Sequence, residues 1–252
     1  MLSVARLYRH PIKALGAEML NSTPVLAGQT LPLDRQWAVK HEAAAASEGW
    51  VPCANFIRGA SSPSLMAITA KAEPSGAGDD NGIRLTLSHP NLPNLIFDPD
   101  TEGSRLVEWV RPICDPGRAA PARIIRSVEQ GMTDAPFPSI AIANYATLRA
   151  VEQRAGRTLD PRRFRANIWF DGGGPWQEFE WLGNELVIGG ILFEVRERIT
   201  RCKATHVDPD TGKRDTDTLR VLENGWKHSD FGVYAIAKTS GAIAVGDPLE
   251  LM

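Results

Sequence analysis

Short apolar runs separated by Gly, Pro, Asn and Asp set the pattern of this chain. Segments 4–8, 37–39, 65–69, 83–87 and 95–97 read as strands of a first half, and 124–128, 166–170, 186–188, 191–195, 233–237 and 243–245 continue the pattern in a second. Many short strands with turn signals between them predict a mostly β protein with a few helices, built from barrels or sandwiches. Helical spacing occurs twice. Tyr145, Leu148, Val151 and Ala155 form one apolar stripe, with Asn144 placed to cap its start and Gly156 its end. A shorter helix is predicted over 217–222, closing near Asn224 and Gly225. Loops are predicted at 73–82, where the sequence is EPSGAGDDNG, and at 98–104. Cys114-Asp115-Pro116-Gly117 reads as the joint between the halves. There is no internal repeat.

Composition narrows the function classes. At 252 residues and 43% hydrophobic content there is apolar material enough for a core without disulfides or a structural metal. Net charge is -2, from 28 basic and 30 acidic side chains, which argues against binding a nucleic-acid polymer. An anion site must therefore be made locally, by a few converging Lys and Arg residues. Cys53, Cys114 and Cys202 are odd in number, far apart and without a C-x-x-C pair, a pattern of reducing compartments. Arg6, Arg9, His10 and Pro11 interrupt any leader-like run at the start. No apolar run approaches the roughly 18 residues needed to span a bilayer. The expectation is a cytoplasmic protein with no membrane span.

Candidate chemistry concentrates in 198–215, RITRCKATHVDPDTGKRD. It begins as an alternating strand and ends in Asp208-Pro209-Asp210-Thr211-Gly212, a tight-turn sequence. Cys202 lies between Arg201 and Lys203, and neighbouring cations favour the sulfur form that coordinates metals or attacks electrophiles. The plainer alternative is a buried structural cysteine beside a hairpin turn. A second cluster is Arg162-Arg163-Phe164-Arg165-Ala166-Asn167. It is either a phosphate clamp, since guanidinium forks match phosphate oxygens, or a solvated entrance to a strand. Pro11-Ile12-Lys13, Asp34-Arg35-Gln36-Trp37 and Met132-Thr133-Asp134 are weaker signals, each compatible with ordinary surface or loop positions. The phosphate loop G-x-x-x-x-G-K-[ST], H-E-x-x-H and G-x-S-x-G are missing. Cys202 and His206 make half of a zinc pattern, without a second pair in the sequence.

Taken together and in order, these residues resemble the MOSC family, the domain shared with molybdenum cofactor sulfurases, preceded by its N-terminal β-barrel partner. The resemblance runs through Pro11-Ile12-Lys13, Asp34-Arg35-x-Trp37, Arg163-Phe164-Arg165-x-Asn167, Trp176, Trp181-x-Gly183, and Arg201-Cys202-x-x-Thr205-x-Val207-Asp208-Pro209-Asp210-Thr211-Gly212. It closes with Phe231-Gly232-Val233-Tyr234 and Gly246-Asp247. Its nearest functional group is that of the amidoxime-reducing components and their bacterial counterparts. Two positions depart from the pattern: Ala14 and Leu15 follow the PIK lysine where many members have Ser or Cys, and Asn144 stands where relatives often carry serine.

The resemblance implies two coupled parts, an N-terminal β-barrel domain over 1–115 and a MOSC β-barrel domain over 116–252, with a cofactor cleft between them. It implies a molybdenum–molybdopterin cofactor, with Cys202 as the protein's sulfur ligand and catalytic centre, and with Lys13, Arg35, Asp134, Arg163, Arg165, Asn167 and Thr200 as cofactor contacts. It implies an oxidoreductase that reduces small N-hydroxylated substrates, such as amidoximes. The electron donor is expected to be a separate ferredoxin-, flavin- or cytochrome-type protein, because no iron–sulfur cysteine cluster occurs in the sequence. Pyridoxal phosphate and haem are not expected. The rival implied function is a carrier that uses Cys202 to hand off cofactor or sulfur.

Overall fold

The structure is a computed structural model of the chain, and it describes residues 1–46, 49–75, 82–127 and 130–252. The first half holds strands β1 (Leu2–Arg9), β2 (Glu18–Leu20), β3 (Ser22–Val25), β4 (Trp37–His41), β5 (Thr69–Pro74), β6 (Ile83–His89) and β7 (Leu92–Phe97), then helix α1 (Gly103–Val110). The second half holds β8 (Pro121–Arg126), β9 (Ile140–Asn144), helix α2 (Tyr145–Ala155), β10 (Ile168–Asp171), β11 (Glu185–Ile188) and β12 (Ile191–Thr200). Helix α3 (Thr218–Trp226), β13 (Asp230–Ala237), β14 (Gly241–Ala244) and β15 (Pro248–Leu251) complete it.

Seven strands close on themselves in the order β10, β9, β13, β12, β11, β15, β1, and β1 pairs back onto β10 through Leu7 and Ile168. Closure removes the unpaired edges an open sheet would leave. Period-two alternation then divides the side chains. Ile140, Ile142, Ile168, Phe170, Phe193, Val195 and Val233 fill one core drawn from all seven strands. Ala141, Ala143 and Trp169, between them in sequence, join Leu148, Val151, Leu222 and Phe231 in an outer layer beneath α2 and α3. Helix α2 starts as its sequence predicts: the Asn144 side chain accepts from the Ala146 amide, and Gly156 ends it at φ +70.

Strands β5, β6 and β7 form a three-stranded sheet and β4 pairs with β8 in a two-stranded one, and these sheets share a second core with α1. Among the described residues, strand pairing crosses the expected boundary near 115 in three places. β1 is a stave of the barrel, β8 pairs with β4, and β3 pairs with β14. The mostly β architecture read from the sequence is what the chain adopts.

Three local readings differ. Of the strand expected over 65–69 only Thr69 is strand, as the first residue of β5; Pro63–Ala67 is a 3-10 helix with Leu65, Met66 and Ala67 all buried. Pro63 supplies no N–H and presets φ for such a turn. The loop expected over 98–104 gives way at Gly103 to α1, whose Leu106, Val107 and Val110 face the core. The strand expected over 124–128 runs instead over Pro121–Arg126, and Val128 lies outside the described residues. So does 76–81, most of the predicted 73–82 loop.

Candidate functional site

Strand β12 ends at Thr200 and releases the chain into Arg201 and Cys202, extended at Cys202 with φ -123 and ψ 176. A single 3-10 turn, Lys203–His206, follows at once, and the Thr205 amide and hydroxyl both donate to the Cys202 carbonyl at 3.1 and 3.0 Å. The Asp208 carboxylate then accepts from the Asp210 and Thr211 amides at 3.0 and 2.9 Å, the Asx geometry its sequence calls for. Gly212 sits at φ +67, where a Cβ would stand 2.9 Å from the Ser64 Cα, so the turn docks against the first half only as glycine. The backbone around Cys202 is therefore fixed on both sides, and the cysteine itself is exposed and free.

Cys202 stands at the wall of a cavity of about 290 Å³ lined from both halves of the chain. Lys13, Arg35 and Arg58 come from the first half, and Arg163, Arg165 and Arg201 from the second. These cations differ in what already holds them. Arg163 is held by carboxylates: its terminal nitrogens meet Asp215 at 2.7 and 2.8 Å and Asp208 at 3.2 Å. Arg162 is held outside the cavity by Asp160 and Asp210. Lys13 donates to the Met132 carbonyl at 2.7 Å and pairs with Asp134 at 2.6 Å. Arg35 pairs with Asp34 and donates to the Arg165 carbonyl at 2.8 Å.

Arg165 and Arg201 have no carboxylate partner among the described residues. Arg165 donates only to the Gly16 and Ile12 carbonyls at 3.1 and 3.4 Å. Arg201 donates to the Phe164 carbonyl at 2.7 Å and to the Phe231 carbonyl. Burial, and then the nearby Arg35 charge, pulls Arg165 down to about 9. Burial pulls Arg201 down to about 10, so both remain cationic at neutral pH. Beside them Tyr234 is pushed up by burial to about 12 and keeps its phenol proton. The result is a cavity with an exposed thiol on one wall and guanidinium charge that carbonyl dipoles solvate without neutralising. Such a site attracts an anion carrying several acceptor oxygens.

The backbone is strained here. Ala14, Arg35 and Arg165 all line the cavity and all sit at positive φ, 64, 52 and 49. Non-glycine residues in this region cost on the order of 1 kcal/mol or more each and persist where the surroundings impose them.

Residues 131–250 match the family described as MOSC domain. The chain carries a MOSC domain. Among similar proteins, mouse mitochondrial amidoxime-reducing component 1 is 32% identical over 124 residues, 44% of this chain and 36% of that protein. Human mitochondrial amidoxime reducing component 2 is 29% identical over 167 residues, 60% of this chain and 48% of that one. A molybdenum cofactor sulfurase of Drosophila grimshawi is 31% identical over 121 residues, 44% of this chain and 15% of the sulfurase. The matched stretch is thus about a third of the mouse relative and less of the sulfurase. Among solved structures, the YUAD protein from Bacillus subtilis covers 100% of this chain and 96% of its own, with 12% identity and a TM-score of 0.48.

The MOSC domain and the segment before it bring most of the expected site residues together: Lys13, Arg35, Asp134, Arg163, Arg165, Thr200 and Cys202 all line the one cavity. Asp134 reaches it as the exposed partner of Lys13, and the Thr200 hydroxyl is spent on Asp230 at 2.7 Å. Asn167 is not there. It is buried between strands, where its amide accepts from the Ala141 N–H at 3.0 Å and donates to the Tyr8 carbonyl at 3.2 Å, stitching β1 and β9 to the start of β10. The sequence reading also left out Cys53, Arg58, Arg201 and Tyr234 as site residues. Arg201 and Tyr234 stand inside the Arg201-Cys202 and Phe231-Gly232-Val233-Tyr234 motifs, so their position carries a signal. Cys53 and Arg58 carry none, because only the packing of the first half against the Cys202 turn brings them in.

Proposed function

We propose that this chain is an oxidoreductase that holds a molybdenum–molybdopterin cofactor in the cavity and reduces N-hydroxylated compounds. The observation that carries the reading is the exposed Cys202 thiol on a cavity wall that also holds two guanidiniums without carboxylate partners among the described residues. The donor set fits such a group. A thiolate suits a soft metal, and Arg165, Arg201, Arg35 and Lys13 suit a phosphate-bearing pterin. When bound, the cofactor supplies two-electron redox chemistry at a centre able to accept oxygen. The net reaction is R–NH–OH plus two electrons and two protons giving R–NH2 and water. The electrons come from a separate donor protein. The chain's own part is to fix the thiol on the rigid Thr200–Gly212 turn and to solvate anionic charge with Arg165 and Arg201. Tyr234 stands beside them as a hydrogen-bond donor. Arg163 acts at one remove, by anchoring Asp208 and Asp215 of the cysteine turn. Relatives named amidoxime-reducing components support the reaction class.

The test is catalytic. Protein made in a molybdenum-competent host is given an artificial low-potential donor and benzamidoxime. Many benzamidine molecules per protein are expected, in proportion to bound molybdenum. The exposure of Cys202, and relatives named molybdenum cofactor sulfurase, also suit a carrier. A carrier would transfer cofactor or sulfur once per loading and give no turnover, and that outcome would replace the reductase reading.

Retention of the cofactor is expected to separate two neighbouring arginines. Arg165→Ala removes one of the cavity's uncompensated charges, whereas Arg162→Ala removes a side chain already held by Asp160 and Asp210. A charge-assisted hydrogen bond contributes roughly 1.5–3 kcal/mol, or about tenfold to hundredfold in affinity. After dialysis, pterin and molybdenum should be depleted in the Arg165 variant and close to wild type in the Arg162 variant. Equal retention in both would remove Arg165 from the site.

A further inference from the structure

Of the six cavity-lining cations, Arg58 is held least. Lys13, Arg35 and Arg163 pair with carboxylates, and Arg165 and Arg201 are sunk among backbone carbonyls. The half-buried Arg58 side chain makes one polar contact among the described residues, Nη1 to the Cys53 Sγ at 3.7 Å. Its backbone, by contrast, is fixed. The Ser61 and Ser62 amides and the Ser61 hydroxyl all donate to the Arg58 carbonyl, at 3.1, 2.8 and 3.1 Å. The next residues pin this turn against the cysteine loop. A Cβ on Gly59 would stand 3.6 Å from the Ala204 Cβ, two residues past Cys202, and Arg214 donates to the Ala60 carbonyl at 2.6 Å. The first half thus brings to the cavity a guanidinium with no carboxylate partner among the described residues, beside the turn that carries the exposed thiol.

We propose that Arg58 is the substrate-recognition cation of this cavity, and that the compounds turned over here carry a carboxylate near the N-hydroxyl group. The proposal rests on the reductase reading for its N-hydroxyl part, while the carboxylate preference stands on Arg58 alone. A single guanidinium fork matches a single carboxylate through two parallel N–H···O bonds. The phosphate of a cofactor has a better match elsewhere, in Arg165, Arg201, Arg35 and Lys13, where several donors converge. Cys53 packs against the Arg58 guanidinium from the side of the first half and steadies its direction without neutralising it.

The test uses two compound pairs that differ by one carboxylate. 4-Amidinobenzoate and benzamidine are compared for binding to the cofactor-loaded protein by calorimetry. Their N-hydroxy forms are compared as substrates. Wild type should bind 4-amidinobenzoate at least about tenfold more tightly than benzamidine, the effect of a charge-assisted pair. The ratio of KM values should follow. Arg58→Gln should bring both ratios close to one, and Arg58→Lys should restore part of the preference. No preference in wild type, or a preference that survives Arg58→Gln, would overturn the proposal. So would loss of molybdenum and pterin from Arg58→Gln, which would make Arg58 a cofactor anchor instead. Should neither N-hydroxy compound turn over while the binding preference holds and falls with Arg58→Gln, the reductase reading fails and the carboxylate site stands.

Discussion

Cys202→Ala protein, made in a molybdenum-competent host, should fold as the wild type does and carry little or no molybdenum. The two halves of that expectation have separate physical grounds. Cys202 is exposed and sits in extended backbone. Truncating such a residue typically changes stability by no more than about 0.5 kcal/mol. The turn that carries it is held by Thr205, Asp208 and Gly212, all of which remain. If Cys202 is the sulfur ligand proposed above, metal retention should fail, and activity with an N-hydroxylated substrate should fall to background. Thermal unfolding and metal analysis on the same preparation check both halves. Cys114→Ala is the control, because Cys114 lies away from the cavity, where burial pushes its thiol up to about 11. Metal loss from Cys53→Ala in place of Cys202→Ala would mean that the wrong cavity thiol had been assigned.

The parts of this molecule that were legible in the sequence are those governed by short-range rules. Helix α2 was readable because its stripe, its Asn144 cap and its Gly156 stop are consecutive signals. The DPDTG turn was readable because Asp208 caps amides only two and three residues on. Helix α1 was not, since Gly103 and Ser104 at its start read as loop while its stability comes from packing Leu106, Val107 and Val110 on a sheet. Strand β9 was missed because IAIAN is buried on both faces and shows no polar alternation. The site followed the same division. Cys202 and Arg165 announce themselves by their neighbours in sequence. Asn167 and Arg163 also fit a ligand-binding motif, yet Asn167 spends its hydrogen bonds on the barrel and Arg163 spends its own on the cysteine turn. Arg58 has no local signature, because a distant turn must fold against Ala204 before it faces the cavity.

His10 should make this protein sensitive to mild acid. It is fully buried next to the cavity's PIK segment, with Nδ1 3.4 Å from the Asp34 carboxylate. Asp34 in turn pairs with Arg35, and Arg165 is near. Burial, then the Arg165 and Arg35 charges, pulls the imidazole down from 6.5 to about 3, against the opposing pull of Asp34. The folded protein therefore refuses a proton that the unfolded chain accepts near pH 6.5. Where the unfolded state binds more protons, stability rises with pH, so it is fully present above about 6.5 and is lost progressively as pH falls toward about 3. Asp34 adds in the same direction at the acid end, because its carboxylate is held below the usual range by Arg35 and His10 despite burial. A histidine depressed this far contributes on the order of 3–5 kcal/mol across the whole window. The variant to compare is His10→Leu, which cannot titrate and keeps the His10 backbone N–H that donates to Asp34 at 2.8 Å. Unfolding free energies from denaturant titrations at pH 7.5 and pH 4.5 should drop steeply in wild type and much less in His10→Leu. Equal pH slopes in the two proteins would show that the imidazole takes up its proton in the folded state and that the acid sensitivity lies in the carboxylates.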